Sequence, residues 1–148
     1  MHRFAILLLI GLGVLVACSR PAQPPVGRWI GNYDAPDVMV DARLEIDKDG
    51  MVRASAPDLL DVGQVSDEDR AAMHTRLAVD LAESWDEAEP RSMDFDGRVF
   101  RKPGGIAPQM EWDPNTKQMK LVFYFGTKHS IRIPMRAVDD FGRDPWAR

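Results

Sequence analysis

The chain has one cysteine, Cys18, in 148 residues, which excludes an internal disulfide. Basic residues do not cluster: Arg101-Lys102 is the longest run of cations, and the formal net charge is −4. A nucleic-acid surface needs clustered Lys and Arg to neutralise phosphates, so no nucleic-acid partner is expected. Catalytic signatures are absent as well. There is no Gly-x-Ser-x-Gly, no Ser-x-x-Lys, and no Cys-His pairing outside the leader, so no nucleophile is assigned. Of the three histidines, His2, His74 and His129, none has a His or Cys partner at metal-ligand spacing, and the position four after His74 is Ala78. No metal and no cofactor are therefore expected. No apolar run reaches the roughly twenty residues that a helix needs to cross a bilayer.

What is present is the composition of a globular protein, 45% hydrophobic and 28% charged, in a length suited to one domain. It is preceded by a distinctive start. Met1-His2-Arg3 is followed by the uncharged stretch FAILLLIGLGVLVA, Phe4 to Ala17, and then by Cys18. This apolar length matches the 7–15 residues or so of a secretory signal core. The segment Leu15-Val16-Ala17-Cys18 resembles the lipobox of bacterial lipoproteins. The resemblance implies a signal peptide over 1–17, a diacylglyceryl group on the Cys18 thiol, cleavage before that residue, and further acylation such as palmitate on the new amino terminus. Two or three acyl chains anchor stably where one does so only marginally. In Gram-negative members the residue after the cysteine sorts many of these proteins, and Ser19 favours the outer membrane. The implied location is membrane-anchored, on the periplasmic side of the cell envelope. Loss of the leader removes Arg3 alone among the charged residues, leaving a mature net charge of about −5. Residues 18–25 then form a lipidated, Pro-rich tether. Pro21, Pro24 and Pro25 favour an extended segment of about 3.1 Å per residue, roughly 20 Å in reach.

Residues 26–148 read as a single α+β domain. Trp29, Gly31 and Tyr33 share one face of a first strand. Val38, Val40, Ala42, Leu44 and Ile46 then alternate with Met39, Asp41, Arg43, Glu45 and Asp47, which predicts a strand with one dry and one wet face. Asp47 to Gly50 turns the chain and Met51 to Ser55 returns, with Gly50 suited to positive φ. Glu45, Asp47, Asp49 and Gly50 echo a calcium loop, but Ala56 stands where the bidentate glutamate belongs. Asp58 to Gln64 reads as loop. Ser66 with Asp69 makes an acidic capping box, and Met73, Leu77, Leu81, Trp85 and Ala88 give a helical stripe ended by Pro90, placing a helix at about 67–88. Four strands follow: Phe95 to Arg101, Gln109 to Asp113, Met119 to Phe125, and one carrying Ile131, Ile133 and Met135. Met110, Trp112, Met119, Leu121, Phe123 and Phe125 point inward. Core filling accounts for these methionines. The predicted architecture is an antiparallel meander of six to eight strands, curved or partly closed, packed with one central helix.

Gly27-Arg28-Trp29, with Gly31 and Tyr33 after it, resembles the opening of lipocalin-like small barrels. That resemblance implies a Trp plugging one barrel end with an arginine from a late strand stacked on it, for which Arg132 and Arg136 are candidates. It also implies a cavity for a small apolar ligand, and Trp29, Tyr33, Trp112 and Phe123 are the candidate ligand-binding residues. An envelope protein partner is the other expectation, with Phe141 and Trp146 in the tail either docked on the sheet or offered as an epitope. Carboxylates occur in pairs, Asp94/Asp96 and Asp139/Asp140. These keep open a carboxylate-dependent hydrolase acting in the envelope as the alternative to a non-enzymatic binding or interaction domain. Lys102 to Pro108, KPGGIAP, has two glycines but no helix after it and reads as a plain loop.

Overall fold

The alternating apolar pattern folds as nine antiparallel strands and one helix in a computed structural model that describes residues 21–126 and 128–142. The leader, Cys18 and Trp146 lie outside the described residues. The strands are β1 (Gly27–Asp34), β2 (Val38–Ile46), β3 (Val52–Ser55), β4 (Asp58–Leu60), β5 (Asp94–Phe95), β6 (Val99–Arg101), β7 (Pro108–Asp113), β8 (Gln118–Phe125) and β9 (His129–Val138). The helix α1 (Asp67–Glu87) lies between β4 and β5. Strand order is β3-β2-β1-β9-β8-β7-β6-β5, with β4 added on β2. The sheet curls into a half-barrel, and its edge strand β3 is bridged to the segment that leads into the other edge strand, β5. There Val52 and Arg91 exchange two backbone hydrogen bonds of 2.8 Å each.

The concave face holds the main core. Trp29 opposes Leu44 across β1–β2, Met119 opposes Met135 and Leu121 opposes Ile133 across β8–β9, and Phe100 opposes Met110 across β6–β7. Gly31 is required here because β1 and β9 approach closely. A Cβ at that position would collide with Met135 Sδ and stand 3.0 Å from the Pro134 carbonyl oxygen. The helix packs on the opposite, convex face. Leu77 joins Met39 and Val62 in a second buried cluster, with Met73 and Leu59 against it. Ser66 caps the helix as its sequence predicts, its Oγ accepting from Asp69 N at 3.1 Å.

Three local expectations change. The wet face predicted for β2 is dry: Met39 and Asp41 are fully buried and Arg43 is 7% exposed, because α1 covers them. The single strand expected over Phe95 to Arg101 is a hairpin of β5 and β6. Asp96 Oδ1 accepts from Arg98 N and Val99 N, Gly97 takes φ 101°, and Phe95 ends opposite Phe100, which explains the broken alternation at Val99-Phe100. The loop expected from Asp58 begins with β4, where Leu59 opposes Met39. These two short additions raise the strand number above the expected six to eight.

The Asp47–Gly50 turn forms as expected, with Asp47 Oδ1 accepting from Asp49 N and Met51 N and Gly50 at φ 79°. The second half of the Pro-rich segment lies along the domain. Pro24 packs beside Gly50 and Ala22 beside Gly97, so the segment touches the hairpin turns next to both edge strands. Among the described residues no helix is long and apolar enough to cross a membrane.

Gly31→Ala is expected to destabilise the domain by about 1–3 kcal/mol, the usual range for overpacking a filled interior. Urea unfolding followed by circular dichroism measures it, and an unchanged midpoint would contradict the close approach of β1 and β9.

Candidate functional site

Both ends of α1 are fastened to the sheet by charged side chains. Near its start, Arg70 Nη2 donates to Asp34 Oδ1 at 2.6 Å and to the Ala35 carbonyl at 2.8 Å, while Nη1 reaches the Val62 carbonyl at 3.2 Å. His74 Nε2 lies 3.1 Å from the second oxygen of Asp34. His74 therefore serves to join helix and sheet. At the other end the helix has no basic residue in its last turn, although its carbonyls there favour a cation. The sheet supplies one. Arg53, on β3, donates through Nη2 to the Trp85 carbonyl, and its guanidinium carbon lies 4.3 Å from the Trp85 ring centroid. Phe141 meets Trp85 edge-on at 4.7 Å, and the Arg43 guanidinium lies 5.3 Å above the Phe141 ring. Burial lowers the Arg43 pKa from its ordinary value, opposed by the charges of Asp86 and Asp41. The Ser55 and Ser84 hydroxyls share a hydrogen bond at 2.5 Å. Phe141 thus docks back on the fold, on the helix side.

The four residues expected to bind a ligand all face the concave interior, but in its packed part. Trp29 meets Trp112 edge-on at 6.3 Å, and Tyr33 and Phe123 pack against the same core cluster. Arg132 and Arg136 stand on the other face of β9 from Ile131, Ile133 and Met135, and Arg132 Nε donates to Glu111 at 2.8 Å. Trp29 is held by Trp112. His129 is exposed at the start of β9 and stacks beside Phe125 at 5.7 Å.

Three of the four carboxylates singled out by sequence have structural tasks, and Asp139 takes part through its backbone carbonyl, which accepts from Arg28. Asp94 Oδ2 accepts from Gly104 N, and Asp140 Oδ1 accepts from Gly142 N. Asp96 accepts from Arg101 Nη1 at 2.7 Å and from two turn amides, and these bonds hold its pKa down to about 2, below the ordinary 3.8. Hydrogen bonds from Asn115 and Thr116 likewise lower Asp113. A general acid needs the opposite shift.

A cavity of about 460 Å³ opens at the seam between β3 and the segment that leads into β5. Val52 and Ala54 of β3, Met93, Met110 of β7 and Leu121 of β8 give it an apolar lining. Glu89, Arg91 and Lys102 are exposed and supply its charged groups, and Ser92 and Gln109 add polar ones. None of Trp29, Tyr33, Trp112 and Phe123 lines it. Its wall is the Ala88–Met93 segment that leaves the helix, so the Arg53–Trp85 clamp on one face of β3 lies directly behind the cavity on the other. The plain loop read at Lys102 to Pro108 contributes Lys102 and Pro103. The volume lies within the roughly 300–1,000 Å³ common for small-molecule sites.

Arg53→Met keeps the aliphatic stem and removes the charge and its donors. It is expected to cost about 1.5–3 kcal/mol, the range for hydrogen bonds to charged groups, and urea unfolding reads it. Asp96 titrates below its unfolded value, so its stabilisation is fully present above pH 4 and is lost as pH falls through about 2. The stability gap between the protein and Asp96→Asn should therefore close between pH 4 and 2, and a gap independent of pH there would contradict the assignment. In comparisons with protein-family models, curated proteins and solved structures, nothing matches this chain.

Proposed function

We propose that this protein is a lipid-anchored domain of the bacterial cell envelope that works by binding a small ligand at the seam of its curled sheet. The observation that carries the binding reading is the seam cavity, which has an apolar lining and ionic groups gathered at its margin. The lipobox-like Leu15-Val16-Ala17-Cys18 supports the anchor and the envelope location, with the outer membrane favoured by Ser19. The docked Pro-rich segment bears on how such an anchor would act. Ala22 rests beside Gly97, and four residues of extended chain reach at most about 14 Å. An acylated Cys18 would therefore hold the Gly97 end of the sheet close to the lipid surface instead of letting the domain roam on a free tether.

One preparation tests both halves. Full-length protein purified gently from membranes is analysed by native mass spectrometry, beside Cys18→Ser and Ala54→Trp. The expected result is an acylated amino-terminal cysteine with a co-purified small molecule. Cys18→Ser should lose the acyl mass and the incorporation of radiolabelled palmitate, and Ala54→Trp should keep the anchor but lose the bound molecule. Palmitate labelling that persists in Cys18→Ser would overturn the anchor. A ligand-free wild type, or a bound mass indifferent to Ala54→Trp, would overturn the seam as the binding site.

A further inference from the structure

We infer that the seam cavity selects a single-chain anionic amphiphile, with its alkyl chain over Met93, Met110 and Leu121 and its anionic head between Arg91 and Lys102. This rests on the reading of the seam as a ligand site and adds the chemistry of the ligand. Size sets the first limit. At ~30 Å³ for each group of water or methylene size, about 460 Å³ holds roughly fifteen such groups. That suits one chain of about a dozen carbons with a compact head and excludes a two-chain lipid from full insertion.

The lining sets the second. Two methionines, Met93 and Met110, bring flexible thioethers that adapt to a chain of variable shape, and Val52, Ala54 and Leu121 complete a surface without a charge. The margin sets the third. Elsewhere on the domain several arginines are engaged, Arg28 with Glu45, Arg70 with Asp34, Arg101 with Asp96 and Arg132 with Glu111, whereas Arg91 is the arginine that lines the cavity. Arg91 and Lys102 enter no ion pair among the described residues, although the mature chain carries an excess of acids. Arg91 is also fixed in place, because both its backbone groups bond to Val52 at the edge of the lining. The lining residues carry two cations and one acid, Glu89, while nearby Asp94 accepts from the Gly104 amide, and a cation binds an anion through charge-assisted hydrogen bonds stronger than neutral ones. A neutral alcohol would fill the same floor and gain nothing from either cation.

The head could be a carboxylate or a phosphate ester, and the test separates them. Three twelve-carbon probes carry a photoreactive diazirine at the chain end: a carboxylate, a monoalkyl phosphate and a neutral alcohol. Each is offered to the full-length protein in its own membranes, and the sites of attachment are mapped by peptide mass spectrometry. The anionic probes should label the peptides holding Met93, Met110 or Leu121 at least about tenfold more than the alcohol, the loss expected when a charged hydrogen bond is missing. The stronger of the two anions identifies a fatty acid or a phosphate-headed lipid as the source. Arg91→Gln with Lys102→Gln should bring anionic labelling down to the alcohol level while leaving alcohol labelling and the circular dichroism spectrum unchanged, which shows that the variant is folded. Equal labelling by all three probes, or anionic labelling that survives the double substitution, would overturn the anion selectivity alone. Absence of seam labelling with every probe would overturn the seam site itself.

Discussion

The helix α1 spans the convex face of β2, β3 and β4, and the way its end is held there governs the rest of the molecule. Arg53 reaches from β3 to the last turn, satisfies the Trp85 carbonyl and sits over the Trp85 ring. One guanidinium therefore supplies the cation that the helix sequence omits, covers an aromatic face and joins strand to helix. Phe141 and Arg43 extend the contact to the far end of the chain. With this face covered, β2 is buried on both sides, and the buried Asp41 and Arg43 are tolerated because opposite charges lie near them under the helix.

Strand β3 turns this clamp into a site. Its outward residues, Arg53 and Ser55, bind the helix end, and its inward residues, Val52 and Ala54, line the cavity. The chain leaving α1 must pass this edge, and at Arg91 it pairs with Val52 before entering β5. A curled sheet that does not close leaves two edges with unpaired backbone groups. Here the edge strands are short, β3 is bridged at Val52 to the segment ahead of β5, and the space beside that bridge is the cavity. The Pro-rich segment adds a second tie, since Ala22 and Pro24 reach the turns next to both edge strands.

Period-two patterns made β1, β2 and β7 to β9 legible, including which side chains face the core, and the capping box and apolar stripe located α1 closely. What the pattern could not carry was the third dimension. Met39, an apolar residue on a face otherwise read as wet, was the one local sign that a helix would cover it. Nothing in the spacing of Arg53 and Trp85, 32 residues apart, announces their contact. The β5–β6 hairpin was hidden because Asp96-Gly97 interrupts a short apolar run that reads equally well as one strand. The candidate ligand residues Trp29, Tyr33, Trp112 and Phe123 are all aromatic, and aromatic bulk fills space. Trp29 and Trp112 plug the interior, while the cavity lies beside smaller and more flexible residues, Ala54, Met93 and Met110, which no sequence motif marks.

The proposed function joins two elements: an anchor at Cys18 that would keep the domain near a membrane, and a cavity with two cations among its lining residues that would take a single lipid-derived anion. The most direct measurement is a high-resolution crystal structure of the protein isolated with whatever it carries from its own membranes. The account predicts a continuous chain of density over Met110 and Leu121, ending in an acidic head within hydrogen-bonding distance of Arg91 or Lys102. A seam filled by the protein's own side chains, or holding only water, would contradict it.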